Sequence, residues 1–436
     1  IAGFAGIKLT PISMSATIVI LTLAVADSIH ILVSLRGLTR EGSAKAKAIT
    51  DAVRVNFLPV SITSLTTIVG FLSLNFSDSP PYWHLGNITA IGIAAAWLFS
   101  LTLLPAMLTL LPLKVPDNAQ SSRSERAMDW LADRVIRHYR LLFVGVGLAA
   151  LLLVAFIPTL TFNDQWVSYF DERIEFRTDS DKAMESFGMY PIEYSVPAAG
   201  PGGVSEPEYL SNLEAFTAFL QAQPIVTHVY SLSDIMKRLN RNMHGDDPAY
   251  YVTPADRELS AQYLLLYELS LPYGLDLNDR INIDKSATRI TATIKQSSTA
   301  ETKAFFAAVD GWMKSNWPAY MHTGPTSAAV MFTYISERNM KNMVTGTIIA
   351  IVAIAVIMIF ALQSARLGVL SLVPNGLPIL ATFGAWALLV GEVGFSVATV
   401  ASISLGIVVD DTVHFLSKYV RARNERRLSV EDSIRY

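Results

Sequence analysis

The chain of 436 residues contains no cysteine, which rules out a disulfide framework, a thiolate metal centre and a cysteine nucleophile together. Charge is scarce as well, at 16% of residues against about 25% in an ordinary soluble domain. Neither sign prevails: 34 Lys and Arg stand against 37 Asp and Glu, for a net charge of −3. No strongly basic region emerges to neutralise phosphates, which argues against nucleic acid as a partner. Residues 1–5 offer neither an initiator methionine nor a charged leader, the pattern of neither a signal peptide nor a natural start.

Apolar residues are abundant, at 51%, and they cluster into long runs. That composition points to a polytopic α-helical membrane protein. One run, residues 394–419, reads GFSVATVASISLGIVVDDTVHFLSKY and is interrupted by Asp410, Asp411 and His414. A carboxylate at the centre of an inserted helix costs roughly 2.5–3.5 kcal/mol, so two adjacent ones point to ion or proton handling. The run has a twin in residues 11–36, PISMSATIVILTLAVADSIHILVSLR. Superposing the two places Asp27 on Asp411 and His30 on His414, with Leu21, Val25 and Leu32 on Leu405, Val409 and Leu416. An acid and an imidazole three residues apart share one helix face and can share a proton. Asp410 lies four residues before His414, whereas Asp411 sits about 100° round the helix from it. Asp27, His30, Asp410, Asp411 and His414 are therefore the candidate proton relay. The competing reading makes them polar glue between helices or residues snorkelling to the interface.

Residues 1–113 read as helices of a first membrane half, opening on the tail of one apolar helix. Arg36, Arg40, Lys45, Lys47 and Arg54 place the link after the Asp27 helix in the cytoplasm. Ser61, Thr63, Ser64, Thr66, Thr67 and Gly70 suit close helix packing in the next span. Residues 114–140 form an Arg-rich cytoplasmic linker with amphipathic character, and residues 141–160 a further membrane helix. Residues 161–340 have soluble composition and exceed any loop, so they make a domain with its own core. Strands are expected at 192–196, 225–230 and 288–295, and helices at 210–221, 255–269, 300–316 and 327–340, an α+β pattern. Its scattered His228, His244, Asp246 and Asp247 form no metal or catalytic pattern. Three more membrane helices fill 341–420, the middle one interrupted by Pro374, Asn375, Gly376 and Pro378. Residues 421–436 form a cytoplasmic link.

SVEDSIRY at 429–436 repeats AITDAVRV at 48–55, so the chain is expected to be a fragment of a two-fold repeated transporter whose other helices and first exported domain lie outside it.

GIVVDDTVHFLSKY (406–419), TSLTTIVGFLSLNFSD (63–78) and AQYLLLYELSLPYGLDL (261–277) resemble the resistance-nodulation-division (RND) superfamily of exporters, in its MMPL-type hydrophobe/amphiphile efflux branch. The likeness runs along nearly the whole chain. It implies a twelve-helix protein of the bacterial inner membrane with periplasmic porter domains, driven by protons through an acidic relay where the fourth and tenth helices meet. On that scheme 1–113 holds the end of the third helix through the sixth, 141–160 the seventh, and 341–420 the eighth to tenth, while 161–340 is a periplasmic porter-like domain. The family pattern has an Asp-Tyr pair four and three residues before His. Here Asp410 takes the Asp position and Asp411 the Tyr position, while the first copy has Ala26 and Asp27.

The expected function is proton-motive-force-driven export of hydrophobic or amphiphilic molecules: lipids, hopanoid- or sterol-like compounds, or drugs. Expected partners are the substrate, protons and the bilayer, with room for a homo-oligomer or a periplasmic accessory protein. No enzyme activity and no cofactor or resident metal are expected. Two readings compete: a Patched-like lipid or sterol sensor, and a divalent-cation site made from the two His and the Asp residues.

Overall fold

Among the described residues, seven helices are long and apolar enough to cross a membrane. The computed structural model describes residues 3–4, 6–112, 123–163, 167, 170–272 and 274–435. Residues 114–122 of the linker, together with Ile1, Ala2, Ala5 and Tyr436, lie outside the described residues. Two units are resolved by contacts, one of residues 1–161 with 338–436 and one of residues 162–337.

The first unit opens differently from expectation. Gly3 and Phe4 make a turn closed by Gly6 N–H donating to Gly3 O at 3.2 Å. Gly6 sits at φ +66°, a left-handed conformation that glycine adopts without penalty and that ends helix. Thr10 and Ser13 then exchange side-chain and backbone bonds in a capping box that starts the short α1 (Pro11–Met14). The membrane helices α2 (Ala16–Arg40), α3 (Lys45–Leu72) and α4 (Pro80–Leu101) follow, and α5 (Leu103–Leu110) continues α4 past a break at Thr102. α3 begins well before its apolar run and carries Pro59 inside it, so most of the basic link is helix. α6 (Arg123–Val154) bends at His138, whose φ −118° and ψ 22° are not helical, between its amphipathic stretch and its apolar span. The short β1 (Thr161–Phe162) comes next.

The second unit is α+β. Its elements are α7 (Glu175–Phe187), β2 (Tyr190–Pro197), α8 (Pro207–Gln221), β3 (Val226–Tyr230), α9 (Leu232–Met243), α10 (Arg257–Ser270), β4 (Ala287–Ile294), α11 (Thr299–Asn316) and β5 (Pro325–Thr326). The strands form one antiparallel sheet in the order β3-β4-β2-β5. Along β4, Thr288, Ile290, Ala292 and Ile294 are buried and the residues between them less so, the two-residue period of a one-sided sheet. On that buried face Ile192, Tyr194, Val196, Leu210, Leu213, Phe216 and Val309 are almost wholly removed from solvent. Each fully buried large apolar side chain contributes roughly 1.5–3 kcal/mol. Tyr209 ties α8 to the sheet, its hydroxyl 2.8 Å from both Val196 O and Thr288 Oγ1.

α12 (Ala328–Leu362) runs from the second unit into the first. After it come α13 (Ala365–Leu370), α14 (Leu372–Leu389), β6 (Glu392–Val393), α15 (Phe395–Asn424) and α16 (Val430–Arg435). In hydrocarbon no hydrophobic effect draws helices together, so small residues and buried hydroxyls must do so. The α3–α15 seam shows how. A Cβ on Gly70 would lie 3.0 Å from Gly406 Cα, and Thr67 donates its hydroxyl to Gly406 O at 2.8 Å.

Candidate functional site

α2 buries Ala16, Leu23, Asp27, Ile31 and Leu35, a stripe with steps of seven and four residues that follows one helix face. Asp27 lies in the middle of that stripe and is 7% exposed. Ser64 of α3 donates to Asp27 Oδ2 at 3.4 Å. His30, one turn on, stacks its ring against that of His414 on α15, with centroids 3.6 Å apart and planes at 15°. α15 buries Leu405, Val409, Val413 and His414, so Asp410 stands on the same side. Its Oδ1 is 3.5 Å from His414 Nε2, too long for a good hydrogen bond. Asp410 also lies close to Asp27 and to Thr63 of α3, whose hydroxyl donates to Val60 O at 3.1 Å.

The structure thus brings together Asp27, His30, Asp410 and His414. Asp411 is exposed on α15 and stands at the edge of this group, within electrostatic reach of His30 and Asp410. Superposing the two sequence copies pairs Asp27 with Asp411, yet the carboxylate that meets Asp27 in space is Asp410. The repeat equates positions along two helices, but the face each helix turns to its neighbour is set by packing.

Three polar neighbours carry more than packing. Ser64, in the stretch read from sequence as close-packing residues, hydrogen-bonds the buried Asp27, and its neighbour Thr63 lies close to the half-buried Asp410. Asn375, 2% exposed and next to the prolines of α14, accepts a 2.6 Å bond from Thr412, two residues from Asp410. Their only sequence signal was polarity inside apolar runs.

The site's hydrogen bonding is incomplete. Asp410 Oδ1 and both ring nitrogens of His414 are buried without a hydrogen-bond partner among the described residues. A buried polar atom with no partner costs about 1–3 kcal/mol, so the arrangement favours uptake of a proton or another electrophile. His30, His414 and Asp410 each offer a ligand atom within 4.8 Å of the others, and two imidazoles with a carboxylate are a donor set that also suits a transition cation.

A bundle of apolar helices with an Asp/His site, interrupted by an α+β domain, defines a multi-pass membrane protein. Residues 1–139 match the sequence model of the MMPL family. A membrane protein of Methanocaldococcus jannaschii is 36% identical over 91 residues, covering 21% of this chain and 24% of that protein. The hopanoid transporter HpnN of Rhodopseudomonas palustris is 28% identical over 156 residues, covering 34% of this chain and 17% of that protein. The match therefore spans about a quarter or less of the length of either curated relative. Among solved structures, SecDF of Thermus thermophilus, a translocon-associated membrane protein, superposes with a TM-score of 0.49 at 12% identity, covering all of this chain and 47% of that one.

Proposed function

We propose that the chain is part of a proton-motive-force-driven exporter of hydrophobic or amphiphilic molecules, such as lipids, hopanoid- or sterol-like compounds or drugs. It would lie in a bacterial inner membrane, with residues 162–337 as the core of a periplasmic porter-like domain. The observation that carries this reading is the meeting of Asp27 and His30 of α2 with Asp410 and His414 of α15. Asp27 and Asp410 bind the proton, and His30 and His414 set the balance between charged and neutral states. Asp411, exposed on the outer flank of α15, exchanges protons with the buried pair. Neutralising a buried carboxylate removes the cost of its charge and lets the helices repack. A proton crossing 100 mV supplies about 2.3 kcal/mol for that work, plus any pH gradient. No step of the proposed cycle makes or breaks a covalent bond, so the proposal assigns no enzymatic role. The similarity to a hopanoid transporter favours a lipid over a hydrophilic substrate.

Efflux of a labelled amphiphile from everted vesicles holding the whole protein tests this. An uncoupler should abolish it. Asp410→Asn should insert and express normally, because it removes a costly charge at almost constant size, and should cut transport roughly a hundredfold or more. Efflux indifferent to the uncoupler would instead favour a Patched-like lipid sensor. Stoichiometric zinc in purified protein, lost in His414→Gln, would favour the cation site.

A further inference from the structure

Asn375 stands on α14, almost wholly buried, and Thr412 Oγ1 of α15 donates to its Oδ1 at 2.6 Å. Its Nδ2 is buried without a hydrogen-bond partner among the described residues. A buried amide left half-satisfied costs free energy that an apolar side chain would not, so filling space does not account for it. The best-attested use of such an asparagine is to fix one register between helices, as at core positions of coiled coils.

Polar contacts hold α15 to its neighbours at three levels. Ser402 meets Thr347 of α12 at 2.9 Å between hydroxyls, Gly406 O accepts from Thr67 of α3, and Thr412 is bound to Asn375. The first two lie one and two helical turns before Asp410, whereas Thr412 lies within its turn. Successive residues are about 100° apart, so Thr412 points about 200° away from Asp410, with Asp411 midway between them. Asp411 belongs to an exposed stripe with Ile407 and Phe415, while Val409 and Val413 are fully buried. Packing on α3 turns Asp410 inward, and a rotation of this one turn is what separates it from Asp411. The bond to Thr412 resists that rotation, because turning the helix swings the hydroxyl off its acceptor. We propose that Asn375 is a positioning residue for the inward carboxylate: by holding Thr412 it keeps Asp410, and not Asp411, against Asp27. The inference deepens the relay reading and rests on it for its meaning in transport.

The chain has no native cysteine, so introduced thiol pairs are unambiguous. Asp27→Cys is combined with Asp410→Cys or with Asp411→Cys in the whole purified protein, in nanodiscs without a proton gradient, and treated with a short bifunctional thiol cross-linker. The pair with position 410 should react faster than the pair with position 411. An ordinary buried hydrogen bond biases an equilibrium roughly three- to tenfold, so Asn375→Leu and Thr412→Val should each lower the ratio of the two rates by about that factor. Thr412→Ser, which keeps the hydroxyl, should leave the ratio alone. A merely structural contact would change the melting temperature and not the ratio. An unchanged ratio in a folded Asn375→Leu or Thr412→Val protein would overturn the proposal, as would a faster reaction at position 411 in the parent protein. This measurement reads geometry alone, so it remains decisive even if export proves indifferent to an uncoupler and the relay reading fails. Where export is uncoupler-sensitive, Asn375→Leu should restore part of the transport lost in Asp410→Asn, since Asp411 can then turn inward. No restoration in a folded protein would also count against the proposal.

Discussion

A buried carboxylate in a membrane helix is tolerable only with company, and Asp27 has Ser64, Asp410 and the stacked pair of histidines around it. Groups this close titrate together, so loss of one member disables the unit. Asp27→Asn and Asp410→Asn should each remove nearly all proton-driven transport, and the double variant should lose little more than either alone. Transport rates of the two single variants and the double variant in the whole protein check this. Defects that multiply, with substantial export left in each single variant, would mean independent sites. The identity of these residues was legible from the sequence, because ionisable side chains are costly inside apolar runs and here the same pair occurs in two of them. Which of Asp410 and Asp411 faces inward was not. They are neighbours about 100° apart on a helix, and only the packing of α15 on α3 decides between them.

At the level of elements, three of the four strands of the second unit's sheet and its longer helices were readable from periodicity, as β4 shows with its strict alternation, whereas the two-residue β5 is too short to show a period. α7 and α9 went unread, since both are short and polar, and α9 relies on Ser231 accepting from Ser233 N–H at its start. Capping gives α11 a pH dependence. Ser298 N–H and Oγ both donate to Glu301 Oε2, at 2.8 and 2.9 Å, and Glu301 N–H donates back to Ser298 Oγ at 3.2 Å. The backbone bond from Ser298, with that from its hydroxyl, holds the Glu301 carboxyl below the ordinary value of 4.5. A depressed acid stabilises fully above its unfolded value and loses that contribution as pH falls through the folded one. Hydrogen exchange in the first turn of α11 should therefore keep its protection above about pH 4.5 and lose it in more acid solution. Glu301→Gln should flatten the profile, and Ser298→Ala should cost about 1 kcal/mol at neutral pH. An unchanged profile in Glu301→Gln would exclude the capping box as its cause.

For the whole molecule, the seven membrane helices were legible from apolar length, and the second unit from the change to soluble composition. The bend at His138 was not, because nothing in the local sequence compels a break there. The basic residues that flank the spans predict their sidedness. Labels at Gly202 or His244 should react with an impermeant reagent added on one side of the membrane, and labels at Lys45, Arg126 or Arg423 only with reagent on the other. One inverted position among these would break the topology.

The glycine seam between α3 and α15 has a mechanical meaning. Helices interlocked by side chains must lift knobs out of holes before one can advance past the other, whereas at Gly70 and Gly406 bare backbone faces bare backbone. Such a contact is short and stiff: parting or sliding the helices there sacrifices the Thr67 bond to Gly406 O. A change of charge at Asp410, one helical turn beyond Gly406, thus falls beside the point where the two backbones lie closest.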